Sequence, residues 1–190
     1  MKRRLTGTFL AGLAMFMWGF AYWGSNPLPY KALSAAPSDE AAGRAIREHF
    51  PASGTYILPS PLNTDQAAMT KLHESGPVAI LHLTARDGAP VMDPIMMAKG
   101  FVQYLVMGAI LIAILGAFGG PSFGSRLKLG LAIGVAAAVM VDVGDMVWWR
   151  TAVGWKLWQL AYTVSGTLVG SAVAAAFTGQ AKAVARATAA

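Results

Sequence analysis

The chain has 190 residues, of which 55% are hydrophobic and 13% charged, and its formal net charge is +6. Soluble domains carry about 25% charged and about 45–50% apolar residues, so this composition excludes an ordinary soluble enzyme and points to the membrane class. With no Cys in the chain, disulfides, iron–sulfur clusters and thiol catalysis are excluded as well.

A helix rises about 1.5 Å per residue and needs about 20 apolar residues to cross about 30 Å of hydrocarbon. Leu5–Trp23, free of charge, is the first such segment. Lys2, Arg3 and Arg4 precede it, as in a signal peptide, but the run is long and ends in Trp18, Tyr22 and Trp23. We therefore read it as an uncleaved signal anchor. Further on, Ile95–Phe118, Leu129–Trp149 and Thr151–Phe177 also qualify. Unpaired backbone amides are not tolerated in lipid, so all of these are predicted helices. The expected fold class is an all-α transmembrane protein, a four-helix membrane bundle with a small extracytoplasmic α+β cap (residues 24–94) between helices 1 and 2, and a cytoplasmic tail at 178–190.

Basic residues mark the cytoplasmic side of a membrane protein. Lys2, Arg3 and Arg4 lie before the first span, Arg126 and Lys128 between the second and third, and Lys182 and Arg186 after the fourth. Residues 24–94 hold five basic and seven acidic side chains. Both termini are therefore expected in the cytoplasm of a bacterium, the chain in its inner membrane, and 24–94 outside. The basic excess reads as an orientation device, not as a nucleic-acid patch. Trp18 and Trp23 at the end of the first span, with Trp148, Trp149, Trp155 and Trp158 around the last turn, fit an aromatic belt at the outer interface.

The long segment between the first two spans carries its own punctuation. Asn26-Pro27-Leu28-Pro29 stops the first helix. Ser38 is the expected N-cap of a helix to about Phe50, with Asp39 and Glu40 at its positive end. Thr55–Leu58 reads as a strand. Asn63 is the expected cap of a second helix to about Glu74, with Gln66 completing a capping box. Val78–Ala85 reads as a second strand, Arg86-Asp87-Gly88-Ala89 as a turn, and Val91 and Met92 as a returning edge. The order is helix, strand, helix, strand, with too few large apolar residues for a secure free-standing core.

Asp142 and Asp145 are three residues apart and so share a helical face. Ionisable groups within a span are costly and point to function or to specific pairing. The short turn makes the last two spans an antiparallel hairpin centred near Thr151 or Ala152. That register sets Asp145 opposite Lys156 and Gln159, and Asp142 opposite Gln159, Tyr162 and Thr163. Lys99 and Gln103 enter the outer side on the second span. We expect one polar cluster of Lys99, Gln103, Asp142, Asp145, Lys156 and Gln159. It either fixes helix register through ion pairs or serves as an ion or proton relay or a polar headgroup site.

Gly130, Gly134 and Ala138 repeat at four-residue intervals on the third span, as do Gly166, Gly170 and Ala174 on the fourth. Small stripes let helices approach closely in lipid, within one chain or between subunits. On the fourth span the stripe is expected to continue the face of Lys156, Gln159 and Thr163.

His49, His73 and His82 all fall in the outer segment without H-x3-H or HExxH spacing, and are weak metal candidates only. Met69, Met92, Met96 and Met97 read as apolar packing. There is no phosphate loop, dinucleotide fingerprint or nucleophile elbow. The paired motifs of intramembrane aspartyl peptidases are absent, and both acids lie on one helix. We therefore expect no catalysis and no cofactor. The expected role is an accessory or assembly subunit of a membrane complex, whose partners are the lipid bilayer and other membrane subunits or a second copy of itself, with no nucleic acid. The alternatives are a small transporter or ion- or proton-conducting oligomer, and an extracytoplasmic sensor or metal-binding module.

Overall fold

A computed structural model of the chain describes residues 1–62, 65–86, 88 and 90–178. Among these residues the protein is mostly helical, with seven α-helices and a small antiparallel sheet. Four helices are long and apolar enough to cross a membrane, spanning Lys2–Gly24, Pro94–Phe118, Phe123–Trp148 and Val153–Thr178. The chain divides into two compact units, Met1–Ser34 with Met92–Ala190, and Ala35–Val91.

In the first unit, α1 runs over Lys2–Gly19 and passes into a wide π-helical turn at Phe20–Gly24. Asn26 then accepts the Leu28 amide at 3.1 Å and a short 3-10 turn, Pro29–Ala32, follows. Helix α4, Pro94–Phe118, starts on Pro94 with Asp93 as its cap, whose carboxylate accepts the amides of Ile95 and Met96. Proline at that position loses no helical bond, and the acid satisfies two of the amides that a helix start leaves open. Helix α5, Phe123–Ala138, is closed by a reciprocal box between Ser122 and Ser125. It continues through a second π-helical turn, Val139–Val143, into α6, Gly144–Trp148. The expected third span is thus interrupted by a wider turn that no residue pattern announced. Arg150 takes a left-handed φ of 50°, and the Thr151 amide and hydroxyl both donate to Asp145 O, at 3.2 and 2.7 Å. That knot reverses the chain into α7, Val153–Thr178.

Helix α7 packs against α5, α1 and α4, while α1 also packs along α4. Leu111, Leu115, Met15, Ala11 and Ala174 form the core where α1, α4 and α7 meet. A Cβ on Gly108 would lie 2.6 Å from Thr8 O, and one on Gly12 would lie 2.9 Å from Tyr104 O. The two glycines thus bring the α1 and α4 backbones together, a contact absent from the expected small stripes. Van der Waals packing of this kind is what holds helices together when lipid removes the hydrophobic drive between them.

The second unit follows the expected order. Helix α2, Asp39–His49, is capped by Ser38, whose hydroxyl accepts the Ala41 amide at 3.2 Å. Strands β1, Gly54–Leu58, and β2, Ala79–Leu83, pair antiparallel with Tyr56 opposite Leu81. Between them lies α3, Gln66–Ser75. Its cap is Asp65, which accepts the amides of Ala67 and Ala68 at 3.0 Å. Gln66 is therefore the first residue of α3 and forms no capping box. Asn63, the expected cap, lies outside the described residues, as do Asp87 and Ala89 of the expected turn and Lys182 and Arg186 of the tail. The second strand is shorter than expected, and Val91 and Met92 bend without pairing. No described residue of this unit is buried, which agrees with its poverty in large apolar side chains.

Candidate functional site

The hairpin turn places the ionisable side chains. Asp142 sits in the π-helical turn, Asp145 one step further in α6, and Lys156 in the first turn of α7. The Lys156 ammonium lies 2.6 Å from Asp145 Oδ2 and 3.4 Å from Asp142 Oδ1. Asp142 and Lys156 are only 4% and 7% exposed, whereas the Asp145 side chain is 34% exposed. The Thr163 hydroxyl is 3.1 Å from Asp142 Oδ2 and 3.0 Å from Gln159 O, and its single proton serves one of them at a time. The pairing read from the hairpin register therefore holds for Asp142, Asp145, Lys156 and Thr163. Gln159 lies beside them, its Oε1 buried without a hydrogen-bond partner.

An open cavity of about 500 Å³ reaches this cluster. Asp142, Lys156, Gln159 and Thr163 supply its polar lining. Trp23, Tyr30, Trp155 and Tyr162 supply an aromatic one. Trp23 is the hub, with its ring centroid 5.4 Å from Trp155, 5.3 Å from Tyr162 and 6.5 Å from Tyr30. The Tyr30 hydroxyl donates to Trp23 O at 2.9 Å and fixes the end of α1 against the 3-10 turn. Both π-helical turns thus deliver a lining residue, Trp23 from one and Asp142 from the other. Such turns recur at functional sites because they re-aim side chains that a regular helix would direct elsewhere.

Lys99 and Gln103 do not join the cluster. Both stand exposed on α4, and neither forms an ion pair or hydrogen bond with any described residue. Lys99 instead borders an apolar groove with Ile95, Ala98 and Val102. The reason lies in helix rotation. Gly108 and Tyr104 turn one side of α4 inward, towards α1 and α7, and this leaves Lys99 and Gln103 outside. From α4 it is Tyr104 that reaches inward, its hydroxyl meeting that of Tyr162.

The tryptophans also divide. Trp148 and Trp149 are 81% and 59% exposed, as belt residues would be. Trp18 instead donates to Ser165 Oγ at 3.1 Å, and Trp158 O accepts the Tyr22 hydroxyl at 2.8 Å. With Trp23 and Trp155 they tie the end of α1 to the start of α7.

The two small-residue stripes serve different neighbours. A Cβ on Gly130 would fall 2.1 Å from Ser171 Oγ, and one on Gly134 would fall 3.0 Å from Thr167 Cβ. Ala138 is buried on the same stripe. Gly170 instead faces Met15 and Leu111, Ala174 enters the core of α1 and α4, and Gly166 faces Trp18. The side of α7 that meets the third long helix is therefore Thr163, Thr167 and Ser171, at four-residue intervals, while Gly166 and Gly170 meet α1 and α4 instead. Ser171 Oγ is buried without a hydrogen-bond partner. At the far end of this seam the buried Arg126 donates to Pro121 O at 2.9 Å and Ala175 O at 3.4 Å, while Arg3 donates to Ala176 O at 2.8 Å. Both guanidinium groups meet the negative end of α7, a packing role that the reading of these residues as orientation signals did not include.

His49 ends α2, His73 lies in α3, and His82 on β2 contacts Thr55 Oγ1 at 3.0 Å, all of them exposed. Among the described residues no group of three or more His, Asp or Glu is placed to hold a metal ion. Comparison of this chain with family models, with curated proteins and with solved structures finds no match.

Proposed function

We propose that this chain is a non-catalytic accessory or assembly subunit of a larger membrane complex in a bacterial inner membrane. In this reading the four apolar helices cross the bilayer, both termini face the cytoplasm, and residues 24–94 form a cap outside it. The observation that carries the reading is the pair Lys99 and Gln103, one helical turn apart on the exposed side of α4 with no partner among the described residues. Polar groups facing hydrocarbon are costly. A lysine near a helix end can extend its ammonium to the headgroups. Gln103 lies about 13 Å beyond Pro94 at about 1.5 Å per residue, too deep for that escape. A helix of another subunit that offers polar groups at this level satisfies both.

The triad itself supports a structural role over a catalytic one, because Lys156 and Thr163 hold the carboxylates in place. The seam below it supports the accessory reading over conduction. Gly130 and Gly134 close on Ser171 and Thr167 so tightly that a methyl group has no room between them, which leaves none for a file of water. The small stripes are used up inside the chain, so docking falls to the α4 face.

Native purification from membranes, with identification of co-migrating proteins, tests the proposal. Association is expected for the unaltered chain and is expected to fall in the double variant Lys99→Leu, Gln103→Leu. Recovery of the unaltered chain as a lone monomer overturns it.

A further inference from the structure

Asp142 is the least satisfied group of the triad. A carboxylate offers about four acceptor positions. Asp142 receives one contact from Lys156 at 3.4 Å, long against the about 2.7–2.9 Å of a charge-assisted bond, and one from a hydroxyl that Gln159 O also attracts. Lys156 is drawn to Asp145 instead, at 2.6 Å. Gln159, on the same lining, holds its Oε1 buried without a donor. Asp142 and Gln159 Oε1 thus both present acceptor capacity on this lining that the protein leaves unfilled. Two carboxylates also share one ammonium, which leaves one formal negative charge. Apart from Val141, the rest of the lining is aromatic, from Trp23, Tyr30, Trp155 and Tyr162. Ring faces attract cations within about 6 Å, and the attraction grows where water is excluded.

We propose that this cavity binds an organic cation bearing N–H groups, a primary alkylammonium, with its N–H groups directed at Asp142 and its carbon chain against the aromatic rings. A quaternary ammonium of similar size would meet the rings but has no proton to give Asp142. The primary amine is therefore the preferred chemistry. The source is either a free amine or the headgroup of an aminophospholipid, and the site goes beyond the subunit role proposed above.

The test uses the full chain in nanodiscs of phosphatidylglycerol, which brings no amine of its own. Tryptophan emission is followed during titration with ethanolamine and, separately, with choline. A saturable change with ethanolamine is expected, and choline is expected to bind about tenfold or more weakly. Asp142→Asn, which keeps the Lys156–Asp145 pair, is expected to lower ethanolamine affinity about tenfold. Tyr30→Ala, a change at a half-exposed ring, keeps the test open should Asp142→Asn fail to fold, and is expected to weaken binding several-fold. Native mass spectrometry in mixed nanodiscs separates the sources. Retention of phosphatidylethanolamine over phosphatidylcholine assigns the lipid, whereas ethanolamine binding without that preference assigns the free amine. No response to either form of the primary amine, equal affinity for choline, or unchanged affinity in a folded variant at Asp142 or Tyr30 overturns the proposal.

Discussion

The Lys156 ammonium stands 3.4 Å from Asp142 Oδ1, and both side chains are almost wholly buried. A buried pair of this kind adds little net stability, but removing one member leaves the other charge uncompensated, at a cost of about 3–5 kcal/mol. Lys156→Met is therefore expected to destabilise the bundle by about that amount, because two acids lose their shared cation. The triple variant Lys156→Met, Asp142→Asn, Asp145→Asn is expected to recover most of it. Thermal denaturation in detergent, followed by circular dichroism, checks both. Equal loss in the single and triple variants would show that packing at Lys156, and not charge, is what matters.

The seam between α5 and α7 gives an opposite pair of expectations. Gly130→Ala puts a methyl 2.1 Å from Ser171 Oγ and 2.3 Å from Ser171 Cβ, so the helices must separate. Overpacking of this kind costs about 1–3 kcal/mol. Ser171→Gly in the same chain removes the clashing atoms and is expected to restore part of the loss. Ser171→Ala alone removes an unpaired hydroxyl and is expected to be neutral or mildly stabilising. The same denaturation assay ranks the variants.

Arg126 is expected to be intolerant of lysine. Its guanidinium reaches Pro121 O and Ala175 O at once, from a buried position. Lysine keeps the charge and the topological signal but not the fork that spans two carbonyls. Arg126→Lys should lower stability by about 1–3 kcal/mol, the scale of hydrogen bonds to charged groups, while orientation in the membrane stays as it was. A flipped orientation with unchanged stability would reverse the roles assigned to this residue.

The absence of Cys from the chain makes the proposed threading directly measurable. Single cysteines at Ala52, exposed in the second unit, and at Gly124, where an added side chain meets open space, report on the two sides. A membrane-impermeant maleimide applied to intact spheroplasts is expected to label Ala52→Cys and to leave Gly124→Cys unlabelled until the membrane is opened. The reverse result removes the assignment of 24–94 to the outside, and the membrane setting proposed for Lys99 and Gln103 with it.

Much of this was legible from residue order. The four apolar helices follow from length and composition, because about 20 apolar residues in succession have few other fates. Ser38 as a cap follows from the match of a short side-chain oxygen to an open amide. Lys156 facing Asp145 and Thr163 facing Asp142 follow from the hairpin, because a short turn fixes which positions of two neighbouring helices come level. Each of these depends on interactions along the chain or across one turn.

Other features depended on how helices rotate against neighbours distant in sequence. Lys99 stands on the exposed side of α4 and does not join the acids, since Gly12 and Gly108 decide which flank of α4 meets α1. Gly170 and Thr167 are only three residues apart, yet one faces Met15 and the other faces Gly134. The cavity needs Trp23 from α1, Asp142 from a π-helical turn and Trp155 from α7, and nothing in their spacing announces that they meet. Residue order alone thus determined the helices, their ends and the hairpin pairing, because backbone satisfaction and chain reversal are local demands. The tertiary structure alone decided which aromatic rings close over those pairs and which polar residues stay outside, because helix rotation is set by close packing of small side chains, and that packing is settled only when all four long helices are in place.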